Sequence, residues 1–340
     1  MDRTFDVAVV GATGLEGETL LELLDERRFP IGTVHVLGDE ESVGERVRLG
    51  GRELKVEFLG PFDFSRVQIA FFSAGSEVSA EYAPRAAAAG CLVIDDTACF
   101  RNEPDVPLVV PEVNPEALAG FRGRNIVANP NGSTIAMLVA LKPIYDAVGI
   151  DRINIATYQA VSGTGREAVE ELARQTAQLL NGRPVETGVY PKQIAFNLIP
   201  HIDVFLDNGY TREEMKILWE TRKVLGDDRI RVNATTVRVP VFFGHSAVVN
   251  VETGHKITAA EARKLLNKAP GVKVLDKHQP GGYPTPVSEA VGNDFVHVGR
   301  IREDVSHRRG LDLWIVADNV RKGGALNCVQ IAEFLVKEYL

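Results

Sequence analysis

The sequence predicts an α/β fold, with a doubly wound parallel sheet in the first part of the chain and a separate α+β layer in the second. Three observations carry that reading. An apolar run at 5–10 is followed by a glycine-rich turn and then by Leu20, Leu21 and Leu24 at helical spacing, the order strand, turn, helix. Short apolar runs at 34–37, 68–72 and 92–94 then alternate with helical segments, notably 77–89, as a parallel sheet requires. From Asp151 the pattern changes to long strand-like stretches at 153–159, 231–243 and 311–316, mixed with helices expected at 165–180 and 211–225.

A length of 340 residues fits two domains at about 100–200 residues each. The pattern places the first over 1–131 and the second over 132–320. A closing helical stretch, 321–340, carries Cys328, Ile331, Leu335 and Tyr339 as an apolar stripe, so it is expected to return to the first domain. The net charge of -8 has the wrong sign for a protein that neutralises nucleic-acid phosphates, so nucleic acid is not an expected partner. The longest apolar stretches, such as 135–141, fall well short of the roughly 20 residues that cross a bilayer, so no membrane span is expected. The N-terminal residues run straight into a strand without the apolar core of a signal peptide, which makes cytoplasmic residence the expectation. Cys91, Cys99 and Cys328 are odd in number and widely spaced, as reduced thiols in packed positions would be; no metal site is expected.

The turn Gly11-Ala-Thr-Gly14-Leu-Glu-Gly17 follows the first strand and opens a helix. Three glycines in that context let a backbone approach a pyrophosphate held at a helix N-terminus, the logic of Rossmann-like dinucleotide binding. The loop after the second strand, 38–44, offers Asp39, Glu40 and Glu41 and no arginine, and those carboxylates would repel a ribose 2′-phosphate.

Six segments, in order along nearly the whole chain, together resemble the aspartate-semialdehyde dehydrogenase family: the turn at 11–17, Phe100-Arg101 after Thr97-Ala98-Cys99, 129–134 (NPNGST), 157–163 (TYQAVSG), 238–245 (RVPVFFGH) and 318–323 (DNVRKG). The resemblance implies NADPH-dependent reductive dephosphorylation of L-aspartyl 4-phosphate to L-aspartate 4-semialdehyde through a cysteine thioester. That step belongs to aspartate-pathway biosynthesis of lysine, diaminopimelate, threonine and methionine. A homodimer built on the second domain's sheet is also implied.

By the same resemblance Arg101 and Lys216 meet the phosphoryl oxygens, helped by Asn131. Arg238 grips the α-carboxylate with its planar fork, and Glu213 takes the ammonium. Gln159 orients the acyl group. His245 serves as general acid and base with a pKa near neutrality, on one strand with Arg238. The cofactor set implied is Gly11, Thr13, Gly14, Leu15, Glu16, Gly17, Glu41, Ser42, Ser73 and Gly75, with Ser162, Gly163 and Asn319 for the nicotinamide half. NADP is the implied dinucleotide; the acids after the second strand argue for use of NAD as well.

One position departs from the pattern. The family's Asn-Cys-Ser-Thr reads Asn131-Gly132-Ser133-Thr134, so Gly132 stands in the nucleophile's place. Ser133 is one residue further round the turn and far less acidic than a thiol, and Cys99 is read as packing. Either the cysteine has been deliberately emptied, leaving a chain that binds without turnover, or a natural homologue has lost the activity and acts as a binding or regulatory protein. Retention of Arg101, Gln159, Glu213, Lys216, Arg238 and His245 together favours the first. A neighbouring reading, N-acetyl-glutamyl-phosphate reductase, shares the acyl-phosphate chemistry, but 157–163 and 213–216 fit aspartyl phosphate better.

Overall fold

The apolar run that opens the chain becomes β1 (Phe5–Val10), with Val7, Ala8, Val9 and Val10 fully buried as expected of a strand covered on both faces. In the computed structural model, which describes residues 3–340, β1 is the centre of unit 1. There follow α1 (Leu15–Glu26), β2 (Ile31–Gly38), a hairpin of β3 (Arg46–Leu49) and β4 (Arg52–Lys55), β5 (Glu57–Phe58), β6 (Ile69–Phe72), α2 (Ser76–Ala88), β7 (Leu92–Asp95) and β8 (Ile126–Ala128). The sheet order is β5-β2-β1-β6-β7-β8, and every pairing is parallel. Counted within the sheet this is 3-2-1-4-5-6, whose direction reverses between β1 and β6. In such sheets the crevice outside the strand C-termini at that reversal is where ligands sit.

Unit 2 spans Asn131–Gly323. It contains α3 (Gly132–Val148), β9 (Ile150–Gln159), α4 (Arg166–Leu180), α5 (Arg212–Leu225), β10 (Arg231–Arg238), β11 (His245–Thr253), α6 (Ala259–Leu266), β12 (Val272–Val274), β13 (Val296–Glu303) and β14 (Gly310–Ala317). Its mixed sheet runs β10-β9-β11-β14-β13-β12. Ile153, Ile155 and Thr157 of β9 point to the face packed under helices, while Asn154, Ala156 and Tyr158 alternate onto a face that is half open, beside the exposed Val248 of β11 and the half-buried Trp314 of β14.

The predicted strand over 231–243 is corrected: β10 stops at Arg238, because Pro240 has no N–H to continue the ladder and the chain turns before β11 starts at His245. The helix expected from 211 begins with Thr211 as its cap. That side chain accepts from the Glu214 N–H at 3.3 Å while Glu214 accepts from the Thr211 N–H at 2.8 Å, and Gly226 ends the helix in the left-handed region.

The chain then returns to unit 1 with α7 (Leu326–Glu338). Leu326, Cys328, Val329, Ile331 and Leu335 are buried in the unit 1 core with Leu20, Leu24 and Leu118, and Tyr339 packs edge-on to Phe121. The three cysteines are free thiols; Cys91 and Cys328 are buried and Cys99 is partly exposed. Among the described residues no helix is long and apolar enough to cross a membrane. Because Ile331 is fully buried, Ile331→Ala is expected to destabilise unit 1 by about 2–5 kcal/mol, read as a lower urea midpoint for the α/β unit. A midpoint equal to that of the parent chain would show that α7 is dispensable to the unit.

Candidate active site

Unit 1 builds a phosphate-sized cradle from backbone. Gly11 follows β1 at φ +85°, and a Cβ there would lie 2.9 Å from the Ser73 carbonyl and the Ala74 nitrogen. A Cβ at Gly17 would lie 2.2 Å from the Gly11 carbonyl oxygen, so glycine is what lets α1 pack onto the turn. A cleft of about 430 Å³ opens there, lined by Gly11, Thr13, Gly14, Asp39, Ser42 and Ser73 among others. Leu15, Glu16, Gly17, Glu41 and Gly75, expected from the resemblance, do not line it. Gly17 supports the turn from behind, Gly75 caps α2 at φ +91°, and Glu41 is exposed on the loop. Phe58, Leu59 and Tyr82 add an apolar wall that no sequence motif signalled. Small residues, a helix N-terminus and a flat apolar wall are what a dinucleotide needs, so the residues present fit one.

Glu16 belongs to a different group in the same unit. It neighbours Arg101, which is buried and donates to the Asp96 carbonyl at 2.8 Å. Loss of solvent raises the carboxyls of both Glu16 and Asp96, Asp96 the further because the Glu16 charge adds to the effect; Arg101 opposes both. Asn129 donates to Asp96 at 2.6 Å.

The larger group of expected residues comes together in unit 2, around the ends of β9, β10 and β11. Gln159 and Arg238 are register partners on β9 and β10. Arg238 donates to the Ala160 carbonyl at 2.6 Å, and the Ala160 N–H donates to His245 Nδ1 at 3.1 Å. The two side chains therefore reach the backbone of one residue from the strands on either side of β9, which corrects the expectation that a single strand carries both. Arg238 is buried, and its Nε has no hydrogen-bond partner among the described residues.

His245 is also corrected. A backbone N–H can only donate, so Nδ1 is an acceptor and the neutral ring carries its proton on Nε2. Burial, and then the Arg238 charge, hold its pKa well below 6.5 rather than near neutrality. At neutral pH it is an uncharged Nε2–H donor. Gly163 leaves space beside it, since a Cβ there would lie 3.3 Å from Nε2 and 3.1 Å from Arg238.

Glu213 is the hub of the polar network. Its Oε1 accepts from Asn131 Nδ2 at 2.8 Å and from Gln159 Nε2 at 3.2 Å, and its Oε2 pairs with Lys216 at 3.3 Å. Lys216 also pairs with Asp203 at 2.7 Å, so two carboxylates share its charge. Ser133, set aside above as a nucleophile, accepts from Gln159 Nε2 at 3.1 Å, and Glu220, which no sequence signal singled out, accepts from the Asn131 N–H at 2.7 Å. Their contacts span 26 and 89 residues of chain, a separation with no local signal. Ser162 and Asn319 hydrogen-bond each other at 3.0 Å, and Asn319 also accepts from the Gly244 N–H at 2.9 Å.

Gly132 is the first residue of α3, just inside the Asn131 cap, whose side chain accepts from the Ser133 N–H at 2.9 Å. A side chain at this point would feel the positive end of the helix dipole, which lowers a thiol pKa. A Cβ there would lie 3.1 Å from the Gly323 carbonyl oxygen and 3.5 Å from that of Asn319. None of the three thiols present is activated. Burial pushes Cys91 up to about 12 and Cys328 upward, and Cys99 is raised by burial and by the charges of Asp95 and Glu103.

Residues 6–121 match the family model for the semialdehyde dehydrogenase NAD binding domain, and residues 141–322 match that for the semialdehyde dehydrogenase dimerisation domain. An aspartate-semialdehyde dehydrogenase from Legionella pneumophila is 59% identical over 340 residues, all of this chain and 98% of that protein. One from Shewanella violacea is 55% identical over 339 residues, covering both chains in full. Among solved structures, aspartate semialdehyde dehydrogenase II from Vibrio cholerae, complexed with ASA, superposes with a TM-score of 0.98 at 56% identity over the whole of both chains. With matches of this extent in both units, the chain belongs to the aspartate-semialdehyde dehydrogenase family.

Proposed function

We propose that unit 2 binds L-aspartyl 4-phosphate and L-aspartate 4-semialdehyde, and that the chain has the architecture of a nicotinamide-nucleotide-dependent reductive dephosphorylating enzyme of amino-acid biosynthesis. Gly132 stands in the nucleophile's place, so the chain as it stands binds without turnover. One observation carries the reading: the buried Arg238 keeps Nε unpartnered beside Gln159 and His245, and Gln159 in turn reaches Ser133 in the first turn of α3. An unmatched buried guanidinium edge suits a carboxylate that takes two parallel hydrogen bonds.

In the active form the nicotinamide nucleotide, when bound, supplies the hydride. The glycine turn of unit 1 would hold its pyrophosphate, and the family resemblance implies NADPH. This chain's own residues do the rest. Arg238 takes the α-carboxylate and Glu213 the ammonium, while Lys216 and Asn131 meet the phosphoryl oxygens. Gln159 aligns the acyl group, its amide already set by Ser133 and Glu213. His245 presents Nε2–H as a hydrogen-bond donor to the oxygen on which charge develops in the tetrahedral species. The helix N-terminus at residue 132 keeps an introduced thiol ionised. A homodimer through the open sheet face around Tyr158, Val248 and Trp314 accords with the presence of a dimerisation domain.

Gly132→Cys is expected to create phosphate-dependent semialdehyde oxidation, with a contrast of about 10⁴–10⁶ in turnover. Its Cβ needs a few tenths of an ångström from the Gly323 backbone, so a thermal melt accompanies the assay. A folded Cys variant no more active than the parent would remove position 132 from the mechanism and favour a binding protein.

In that Cys background Arg238→Lys keeps the charge and loses the planar fork. Loss of a hydrogen bond to a charged group costs about 1.5–3 kcal/mol, which is roughly 10–150-fold in kcat/KM. Unchanged kcat and KM for aspartate semialdehyde would exclude Arg238 as the carboxylate clamp.

His245→Asn, also in that background, should lower the rate by about 10²–10⁴ while dinucleotide affinity holds. The sign of the pH effect follows from the depressed pKa. His245 is neutral in the fold and takes up a proton on unfolding below about pH 6.5. Its contribution to stability is therefore intact above that pH and is lost as pH falls toward the folded value, while an activity limb from this ring lies at the lower, folded value. An acid limb in the activity profile that survives His245→Asn unchanged would reject this role.

A further inference from the structure

The cleft of unit 1 ends on the loop after β2, where its chemistry is acidic. Asp39 is the first residue beyond β2, 22 positions after Gly17, and it lines the cleft together with Ser42, Gly38, Gly11 and Gly14. An acid at the end of the second strand of such a sheet accepts a hydrogen bond from a ribose 2′-hydroxyl, whereas a 2′-phosphate is met there by arginine. No Lys or Arg lines this cleft. The carboxylate is held in place: Ser42 donates to Asp39 Oδ1 from its N–H at 3.0 Å and from its hydroxyl at 2.7 Å. Gly38 makes that turn feasible, since a Cβ at 38 would lie 2.2 Å from Ser42 Oγ. The two Ser42 bonds keep the Asp39 carboxyl below its ordinary range, so it is ionised at neutral pH. Glu40, Glu41 and Glu45 follow, all exposed, and add to the local negative potential.

A cation does approach the far wall. Arg85 stacks over Tyr82 at 4.7 Å, donates to the Gly60 carbonyl at 3.4 Å and pairs with Glu81 at 3.6 Å. It is engaged with α2 and the loop at Gly60, on lining residues other than those that hold Asp39.

We infer that Asp39 makes this chain select the dinucleotide with a free 2′-hydroxyl, NAD(H), over the 2′-phosphorylated NADP(H), the reverse of what the family resemblance implies. A carboxylate fixed at the ribose edge accepts from a hydroxyl, but it faces a phosphate monoester carrying up to about two negative charges with repulsion and without a counter-cation. This inference rests on the dinucleotide reading of the cleft, and the experiment separates the two.

The full chain as it stands is titrated calorimetrically with NAD⁺ and with NADP⁺ at fixed ionic strength, since Gly132 does not prevent cofactor binding. NAD⁺ should bind at least tenfold more tightly. Asp39→Ser should narrow that ratio at least tenfold, weakening NAD⁺ and strengthening NADP⁺. Asp39→Asn, which keeps an oxygen for Ser42 and removes the charge, should strengthen NADP⁺ severalfold and guards against a misfolded serine variant. Tighter binding of NADP⁺ by the parent chain overturns the inference and leaves the dinucleotide reading standing; loss of that binding in Arg85→Gln would then assign the phosphate to Arg85. Saturable binding of neither nucleotide overturns the dinucleotide reading and the inference together.

Discussion

The backbone of Ala160, just past the end of β9, is held from both sides: its carbonyl accepts from Arg238 at 2.6 Å and its N–H donates to His245 Nδ1 at 3.1 Å. Arg238 closes β10 and His245 opens β11, so the register of three neighbouring strands decides whether the contacts form at all. A slip of one residue would turn either side chain to the other face of the sheet. The consequence for chemistry is direct. One backbone N–H fixes the imidazole tautomer, and one backbone carbonyl fixes the position of a guanidinium whose Nε is unmatched among the described residues. Side chains locked in this way act without reorganisation when charge develops on a substrate.

Close backbone approach imposes the second constraint, and it operates twice. At the unit 1 turn, Gly11 meets the Ser73 carbonyl and Gly17 meets Gly11, so no side chain fits without moving backbone. At the start of α3 the approach is milder. A Cβ at Gly132 would sit 3.1 Å from the Gly323 oxygen, and a Cβ at Gly323 would sit 2.9 Å from the Gly132 Cα. Two glycines facing each other are therefore more than the packing demands at position 132, although position 323 needs one. That asymmetry leaves room for a small side chain at 132 once the Gly323 backbone gives a few tenths of an ångström, so glycine there is not a packing requirement.

How much of this was legible in the sequence depends on the range of the interaction. The unit 1 strands, the glycine turn and the stripe on α7 repeat with short periods, so local pattern placed them; β8 and β12, three residues each, carry too little pattern to be seen. Pro240 was visible, yet the apolar residues around it suggested one long strand, and the missing N–H proved decisive. In unit 2 the motif residues were legible as residue types. Their wiring was not, because Glu213 collects donors from positions 131, 159 and 216, and only the folded sheet makes those neighbours. The His245 tautomer likewise depends on a backbone N–H 85 residues away. Asp39 is the opposite case. Its place after β2 is a local fact, and the structure adds only that Ser42 holds it at the wall of the cleft.

The polar interior of unit 2 carries a cost that bears on what the chain is for. Arg238 Nε, Thr134 Oγ1 and Thr236 Oγ1 are buried without a hydrogen-bond partner among the described residues. Each such group costs about 1–3 kcal/mol, more where the group is charged. Glu213, Glu220 and Arg238 are buried charges as well, and apolar residues of similar size in such places are often neutral or stabilising. A unit that served only as scaffold would gain by replacing them. Their presence together accords with the proposed substrate, an anionic, amine-bearing acyl compound whose groups would complete those bonds. On that reading stability lost in the free chain would be recovered on binding, so the same arrangement that is unfavourable as architecture would be favourable as a receptor.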